Sequence, residues 1–405
     1  MTLNVFYIQE QVLRIKASNN DQISQLQALQ SLTHLQLDFW REPSSTNIPV
    51  DVRVPIESFQ SVKVYLESNN IEYSVMIEDL QEVINAEKQE MELNERKERN
   101  SGAFNYGAYH TLDNIYRAID LIVLDYKSLI SKHQMGFSYE GRPMYVLKFS
   151  TGANRPAIWV DAGIHSREWV TQATALWTAH KLASDYGKDA SVTSLLNSYD
   201  LFLLIVANPD GYAFSHSSDR MWRKTRSINS GSGCVGADPN RNWDAGFGGL
   251  GASADPCSNT YHGPRAESEL EVKTMADFIR RHGNIKGVVS IHSYSQLILF
   301  PYGYKCTNPA DFTELDNVGK AAASALSSLY GTEYKVGTIC STIYQASGGS
   351  IDWTYDIGIK YSFAFELRDT GHYGFLLPPT EILPTAEETW LGLKKILEHI
   401  RDNPY

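Results

Sequence analysis

Two short segments, each following a run of apolar residues, carry side chains that could hold a metal ion. After the apolar residues 157–164 come His165 and, three residues later, Glu168. This spacing predicts that both side chains point at one ion from the first turn of a helix, and an imidazole nitrogen with a carboxylate oxygen is half of a zinc site. A second apolar run, 288–291, ends at His292. Two histidines and one carboxylate leave the fourth position of zinc open, which is typical of catalytic sites.

Each of these residues also has an ordinary structural interpretation. A His-x-x-Glu pair is common without a metal, and a histidine at a strand end is often a buried, hydrogen-bonded side chain, so the three residues alone leave both interpretations open. Two rival hydrolase classes are disfavoured, because the sequence contains neither a His-Glu-x-x-His motif nor a Gly-x-Ser-x-Gly motif.

The elements that position these residues follow from the spacing of apolar side chains. Residues 1–80 alternate in the order β-α-β-β-α-β, which predicts a ferredoxin-like α+β unit. Residues 81–100 are highly charged and contain neither Gly nor Pro, which predicts a solvated connecting helix. In residues 101–405, continuous apolar strands alternate with helices. This pattern predicts an α/β domain with a central mixed, mostly buried sheet flanked by helices, with ligands at the strand ends.

The end of the connecting segment is basic. Arg96, Lys97 and Arg99 precede residues 100–102, Asn-Ser-Gly, which we expect to be flexible. Trypsin-like proteases cut such segments easily. The plain alternative is a charged helix end without a processing role.

Composition limits the function classes. The chain has 405 residues, a formal net charge of −11 and 42% hydrophobic residues, values typical of a globular protein. It has no basic stripe and no apolar run long enough for a membrane span, so we expect neither nucleic acid nor a membrane as partner. The first 20 residues lack the apolar stretch of a signal peptide, so we expect a secreted form to have lost that segment.

Four cysteines lie far apart, at positions 234, 257, 306 and 340. They form no Cys-x-x-Cys pair, which argues against a zinc ribbon. An even number of cysteines favours two disulfides and an oxidising compartment, while four buried thiols are the alternative.

Beyond these patterns, the chain from about residue 104 onward resembles the secreted zinc metallocarboxypeptidases of the pancreatic carboxypeptidase A/B type, and residues 1–99 resemble their propeptide. The segments that carry the resemblance stand in the order and spacing of that family. They are His165-Ser-Arg-Glu-Trp169, Asn208-Pro-Asp-Gly-Tyr212, Trp222-Arg-Lys-Thr-Arg226, Asp238-Pro-Asn-Arg-Asn-Trp-Asp244, Ile343-Tyr-Gln-Ala-Ser-Gly-Gly-Ser350 and Phe365-Glu-Leu-Arg-Asp369.

The resemblance implies a role for each matching residue. His165, Glu168 and His292 match the ligands of one zinc ion. Glu366 matches the general base that moves a proton from the attacking water to the leaving amine, and Arg223 matches the residue that polarises the scissile carbonyl. The substrate-binding group that the resemblance implies consists of Arg167, Asn240, Arg241, Tyr294 and Tyr344. Within it, Asn240, Arg241 and Tyr344 match the residues that hold a free C-terminal carboxylate, and Asp238 matches a carboxylate that orients a zinc-bound histidine.

The substrate side-chain pocket is predicted to be apolar. Ile351 matches its floor, and the flanking positions are uncharged: Leu299, Gly303, Ile339, Ala346 and Ala364. A buried cationic side chain without a counter-charge is costly. We therefore expect a preference for apolar and aromatic C-terminal residues, as in carboxypeptidase A.

The resemblance also implies how the chain is handled. It predicts the disulfides 234–257 and 306–340, a propeptide that covers the cleft, and activation by a trypsin-like protease, first of all after Arg99. Expected partners are peptide and protein C-termini, the activating protease and proteinaceous carboxypeptidase inhibitors. We expect a secreted, digestive monomer. A catalytically inactive relative that only binds peptides is disfavoured, because every matching position holds a competent residue.

Overall fold

The structure is a computed structural model and describes residues 4–405. Its N-terminal unit, residues 4–79, is a four-stranded antiparallel sheet of order β2-β3-β1-β4 with two helices. In chain order its elements are β1 (Gln11–Lys16), α1 (Asn20–Gln30), β2 (Asp38–Arg41), β3 (Val50–Val54), α2 (Ile56–Ser68) and β4 (Glu72–Ile77), with a short 3-10 turn at Thr33–Leu35. The predicted order β-α-β-β-α-β is confirmed.

The alternation seen in the sequence explains this unit's packing. Leu13 and Ile15 of β1 and Val52 of β3 are fully buried, and they pack with Leu26 of α1 and Leu66 of α2 in one apolar cluster. Period-2 alternation places one face of the sheet against the helices. The same strands carry polar residues on the opposite face, which contacts the rest of the chain.

A long helix, α3 (Leu80–Ser101), leaves the N-terminal unit. It begins at Asp79, whose side chain accepts hydrogen bonds from the N–H groups of Gln81 and Glu82, and it ends at Gly102, whose φ of 70° is left-handed. The prediction of flexibility directly after Arg99 is wrong, because Asn100 and the residue after it continue the helix to this glycine cap.

The C-terminal unit contains an eight-stranded mixed sheet of order β11-β10-β12-β9-β7-β8-β6-β5 with helices packed on it. The central strands β12, β9, β7 and β8 are parallel. In chain order the elements are α4 (Leu112–Asp125), β5 (Ile130–Phe137), β6 (Pro143–Phe149), β7 (Ala157–Ala162), α5 (Trp169–Asp185), α6 (Ala190–Ser198), β8 (Asp200–Leu204), α7 (Pro209–Ser217), α8 (Leu270–His282), β9 (Ile285–Ser293), β10 (Leu297–Phe300), α9 (Phe312–Tyr330), β11 (Lys335–Thr338), α10 (Ile339–Thr342), α11 (Ser350–Asp356), β12 (Tyr361–Leu367) and α12 (Ile382–Asp402), with a 3-10 turn at Pro379–Glu381. The predicted α/β class with a mixed, buried sheet is confirmed.

The central strands are buried on both faces, as their continuous apolar sequences predict. Every residue of β7 and of β8 is buried, and helices cover parallel strands on both sides. Because β12, β9 and β7 are parallel neighbours, their carboxyl ends meet at one edge of the sheet. That edge holds the residues described below.

Both predicted disulfides are present, Cys234–Cys257 and Cys306–Cys340. The second bridge joins the loop after β10 to α10, next to the cavity described below. Among residues 4–405, no helix is both long and apolar enough to cross a bilayer.

Candidate functional site

Three buried side chains converge at the carboxyl ends of β7 and β9. One nitrogen each from His165 and His292 and one carboxylate oxygen of Glu168 lie within 4.8 Å of one another. All three residues are at most 3% exposed. This donor set and its compactness fit a single zinc ion.

The histidine rings are oriented from outside the group. Asp238 Oδ1 lies 3.0 Å from His165 Nε2, and Ser290 Oγ lies 3.1 Å from His292 Nε2. The two Nδ1 atoms therefore face each other at 3.3 Å, and His165 Nδ1 is 2.8 Å from Glu168 Oε1. Holding the far nitrogen of each ring is the usual way in which proteins fix metal-binding histidines.

The backbone here differs in one respect from the prediction. His165 and Glu168 do not lie in the first turn of a helix, because α5 begins at Trp169 and Glu168 is its N-cap with a non-helical ψ of 59°. From this cap the Glu168 carboxylate reaches β9, where Oε2 accepts the N–H of Ser293 at 3.2 Å.

The charges of the group support an ionised carboxylate. Burial alone would raise the pKa of Glu168, but the charges and hydrogen bonds of His165 and His292 hold it well below its ordinary value. Arg223 Nη1 adds positive charge 3.7 Å from Glu168 Oε1. A carboxylate that stays ionised is the form that binds a metal.

Glu366 and Arg223 flank this group. Glu366 pairs in register with His292 across β12 and β9. Burial raises the pKa of Glu366 to about 8, with His292 opposing the shift and Glu168 adding to it. Arg223 is fixed by Asp238, whose Oδ2 accepts its Nε at 3.1 Å and its Nη2 at 2.8 Å. The pair thus offers a carboxyl group and an oriented guanidinium beside the metal ligands.

A second group is built around Arg241, which is only 4% exposed. Its Nε donates to Gly251 O at 2.8 Å and its Nη2 donates to the Tyr344 hydroxyl at 3.0 Å. Asn240 is held through its Oδ1, which accepts the N–H of Ser350 at 3.0 Å. Asp238 Oδ2 lies 3.9 Å from Arg241 Nη1, and the hydrogen-bond acceptors of the guanidinium are all neutral. A buried guanidinium of this kind, beside an amide and a phenol, is suited to binding an anionic group.

One cavity of about 540 Å³ connects these groups. Its walls include the predicted metal ligands, Glu366, Arg223, Ile351 and the predicted substrate-binding residues other than Arg167, which is 1% exposed. Asp238 and Gly303 are also absent from the cavity walls. Ile351 is at the start of α11, and the cavity surface beside it is apolar: Leu299, Ile339, Ala346 and Ala364. The predicted site residues are thus brought together.

The N-terminal unit closes the mouth of this cavity. Arg167 Nη1 donates to Asp38 of β2 at 2.8 Å and 3.1 Å, and the Tyr294 hydroxyl donates to Asp51 of β3 at 2.7 Å. Both carboxylates are buried. Two predicted substrate-binding residues, Arg167 and Tyr294, are therefore already paired with the N-terminal sheet.

Apolar and cationic contacts strengthen this cover. Trp40 packs on Phe375 with ring centroids 5.2 Å apart, and Arg41 lies 4.9 Å above the ring of Tyr294. The Arg41 guanidinium also donates to Ser295 Oγ at 2.9 Å. The strand β2 thus contributes Trp40 and Arg41 to the wall of the cavity.

Two comparisons of sequence match this architecture. The family profile described as zinc carboxypeptidase matches residues 115–392, and the profile described as carboxypeptidase activation peptide matches residues 13–87. The chain belongs to the zinc carboxypeptidase family. It is a procarboxypeptidase A-like zymogen whose N-terminal unit is the family's activation peptide, called the propeptide below.

Individual relatives agree with this assignment. Rat carboxypeptidase A2 is 63% identical over 399 residues, which cover 98% of this chain and 95% of that protein. The crystal structure of carboxypeptidase A from Helicoverpa armigera covers 98% of this chain and 99% of its own with a TM-score of 0.90 at 28% identity. Bovine thrombin-activatable fibrinolysis inhibitor in complex with tick carboxypeptidase inhibitor covers 74% of this chain and 99% of its own, with a TM-score of 0.70 at 44% identity.

Sequence reasoning missed two kinds of functional residue. Asp38, Trp40, Arg41 and Asp51 contact the cleft, but their pattern only indicated two short strands. Ser290 was missed as the holder of His292, although its position two residues earlier on the same strand face was a usable signal.

Proposed function

We propose that the activated chain hydrolyses the last peptide bond of peptides and proteins, with His165, Glu168 and His292 as ligands of one zinc ion. The observation that carries this proposal is the convergence of three buried ligand atoms with a buried arginine, Arg241, in the wall of the same cavity. Zinc supplies Lewis acidity and lowers the pKa of a water molecule when it is bound at such a site.

Side chains of the protein carry out the proton transfer and stabilise the carbonyl oxygen. Glu366 accepts a proton from the attacking water and returns it to the nitrogen of the departing residue. Its raised pKa suits it to both directions of transfer. Arg223, oriented by Asp238, donates to the carbonyl oxygen as negative charge develops on it.

Arg241 restricts the reaction to chain ends. A free C-terminal carboxylate compensates its buried charge with hydrogen bonds from the guanidinium, Asn240 and Tyr344. An internal peptide bond offers no such anion and would leave the charge unpaired. Arg167 and Tyr294, which pair with the propeptide in this structure, are proposed to bind the preceding residues of the substrate once the propeptide is removed.

Ile351 sets the side-chain preference. An aliphatic floor with uncharged walls favours Phe, Leu and similar residues and disfavours Lys and Arg, whose charge would lose its hydration without gaining a partner. The 63% identity to rat carboxypeptidase A2, a relative of the A type by name, supports this preference for apolar side chains.

Removal of the propeptide is the proposed activation step. We divide the chain into a propeptide (1–80), a helical connector (81–100) and a catalytic unit (101–405), with the first cut after Arg99 by a trypsin-like protease. The Arg99 side chain is 69% exposed in the last turn of α3. Because a protease needs extended backbone, this turn must fray before cleavage.

The surroundings follow from the family and the disulfides. Two disulfides are compatible with secretion, and we propose a secreted digestive monomer. Tick carboxypeptidase inhibitor binds the bovine relative named above, so protein inhibitors that enter the cleft are proposed partners for the activated form.

The experiment is activation with trypsin followed by N-terminal sequencing and assay on matched peptides that end in Phe, Arg or Glu, with and without a chelator. The proposal expects a new N-terminus at Asn100, rapid release of Phe and loss of activity with the chelator. Release of internal fragments, or activity that survives complete metal removal, would contradict it.

A further inference from the structure

Asp352 is a fully buried acid beside the pocket floor, and the reaction proposed above does not use it. It follows Ile351 in the first turn of α11. Its two carboxylate oxygens accept the N–H of Gly303 at 2.9 Å and 2.8 Å, and Oδ2 also accepts the N–H of Tyr304 at 2.8 Å. Both oxygens of the carboxylate are therefore hydrogen-bonded to the backbone of the loop after β10.

That loop packs against two residues that line the side-chain pocket, Ile339 and Ala346. Gly303 O accepts the N–H of Ala346 at 3.0 Å, so the glycine is held from both sides. A Cβ atom built on Gly303 would meet Ala346 O and Ile339 Cγ2, both at 3.0 Å. Gly303 therefore packs so closely against these two residues that a Cβ atom fits only if they shift.

We propose that Asp352 is a positioning residue that sets the width of the side-chain pocket by holding Gly303 and Tyr304 against α11. The inference rests on the proposed function, because it takes this pocket as the one that receives the C-terminal side chain. A loop that is released from Asp352 can move away, and large substrate side chains then lose packing contacts while small ones lose little.

The hydrogen bonds from the loop favour an ionised Asp352 as the holding form, while its burial opposes ionisation. Burial raises the pKa of Asp352 to about 7, the N–H groups of Tyr304 and Gly303 lower it, Asp356 of the same helix raises it and Lys305 of the loop lowers it. Only a carboxylate offers acceptors on both oxygens for these donors. An asparagine would turn an NH2 group toward one of them.

The test compares Asp352→Asn with Asp356→Asn, an exposed acid on the same helix. The readout is KM and kcat on two peptides that differ only in a C-terminal Phe or Ala. Loss of a charge-assisted hydrogen bond to the loop after β10 is expected to raise KM for the Phe peptide about tenfold or more in Asp352→Asn. For Asp352→Asn, we expect little change in kcat on either peptide or in KM for the Ala peptide. For Asp356→Asn, we expect little change in either constant.

Equal losses on both peptides would overturn the inference, because a general structural defect does not depend on side-chain size. If the Asp352→Asn enzyme is active and its KM and kcat are unchanged, the positioning role is overturned and the proposed function stands. If the wild-type enzyme is inactive on both peptides, the proposed function is overturned as well. Hydrogen exchange of the wild-type chain gives a reading that needs no variant. The Gly303 and Tyr304 amides are expected to be protected, and fast exchange at both would refute the anchoring.

Discussion

Arg167 Nη1 lies 2.8 Å from Asp38 Oδ2, and this ion pair joins a predicted substrate-binding residue to a strand of the propeptide with both side chains buried. Asn259 Nδ2 donates to the other oxygen of Asp38 at 2.7 Å. These bonds lower the pKa of Asp38 against the effect of its burial. The propeptide is thus bound through the charge of Arg167, which is proposed to bind the substrate in the activated enzyme.

Asp38→Asn leaves the buried Arg167 charge without a partner. Breaking one side of a buried ion pair costs about 3–5 kcal/mol, so the zymogen is expected to unfold at a lower temperature and to be activated faster by trypsin. Thermal melting and activation time courses measure both effects.

The control for this prediction is Glu72→Gln, which changes an exposed acid on β4. This variant should change neither the unfolding temperature nor the rate of activation. The activated enzyme no longer contains residue 38, so the wild-type and Asp38→Asn zymogens must give the same activated enzyme. A zymogen of unchanged stability and activation rate would contradict the role of this ion pair.

Arg241→Ala tests the restriction to chain ends. Removing the guanidinium abolishes charge-assisted hydrogen bonds to the substrate carboxylate, so kcat/KM for a free C-terminus should fall about 100-fold or more. A peptide with an amidated C-terminus serves as the control, because it lacks the carboxylate and should respond little. The role fails if the variant still discriminates the free from the amidated peptide as strongly as the wild type.

Ile351→Asp places a negative charge at the pocket floor. The buried acid gives Lys and Arg a counter-charge and removes apolar contact from Phe, so the ratio of Arg to Phe hydrolysis should rise by about 100-fold or more. Ile351→Val, which keeps the floor apolar, is the matched control. Unchanged selectivity in Ile351→Asp would show that the floor lies elsewhere.

Glu271 predicts a pH dependence of stability. It is fully buried near the start of α8, and its Oε1 accepts the N–H of Tyr139 at 3.2 Å, while Oε2 has no hydrogen-bond partner among residues 4–405. Burial raises the pKa of Glu271 to about 8. Between the ordinary pKa of glutamate, near 4.5, and about 8, the unfolded chain loses this proton while the folded chain keeps it. Its contribution to stability is therefore full below the lower value and is lost as the pH rises.

Glu271→Gln carries no titrating proton, so its stability should fall less than that of the wild type between pH 5 and pH 8. Urea unfolding midpoints at pH 5, 6.5 and 8 measure the difference. Asp277→Asn, which changes a partly exposed acid on the same helix, should track the wild type. Parallel pH curves for Glu271→Gln and the wild type would show that Glu271 is ionised in the folded protein.

The sequence predicts the architecture because burial leaves a clear pattern there. The strand β7 and the buried part of β9 appear as apolar runs, which locate His165 and His292 at strand ends. Strands β10 and β11 have only four residues each, too few for their periodicity to be distinguished from that of a loop. Glu168 was placed in a helix because spacing alone does not distinguish a first turn from an N-cap.

The roles of the site residues depended on resemblance rather than on pattern. A glutamate at a strand end, such as Glu366, has the same local signal as a solvated charge. The contacts of Asp38 and Asp51 with Arg167 and Tyr294 depend on how two independently folded sheets dock. No local pattern contains that information, since the partners are 129 and 243 residues apart in sequence.

The most direct test of the central claim is the release of free phenylalanine from a Phe-ending peptide by the trypsin-treated chain, followed in one sample before chelation, after chelation and after re-addition of one equivalent of zinc. The account predicts rapid release, its loss on chelation and its return with zinc, and no return in His292→Ala. Release that continues without metal, or that returns equally in His292→Ala, would contradict a catalytic zinc ion held by these three residues.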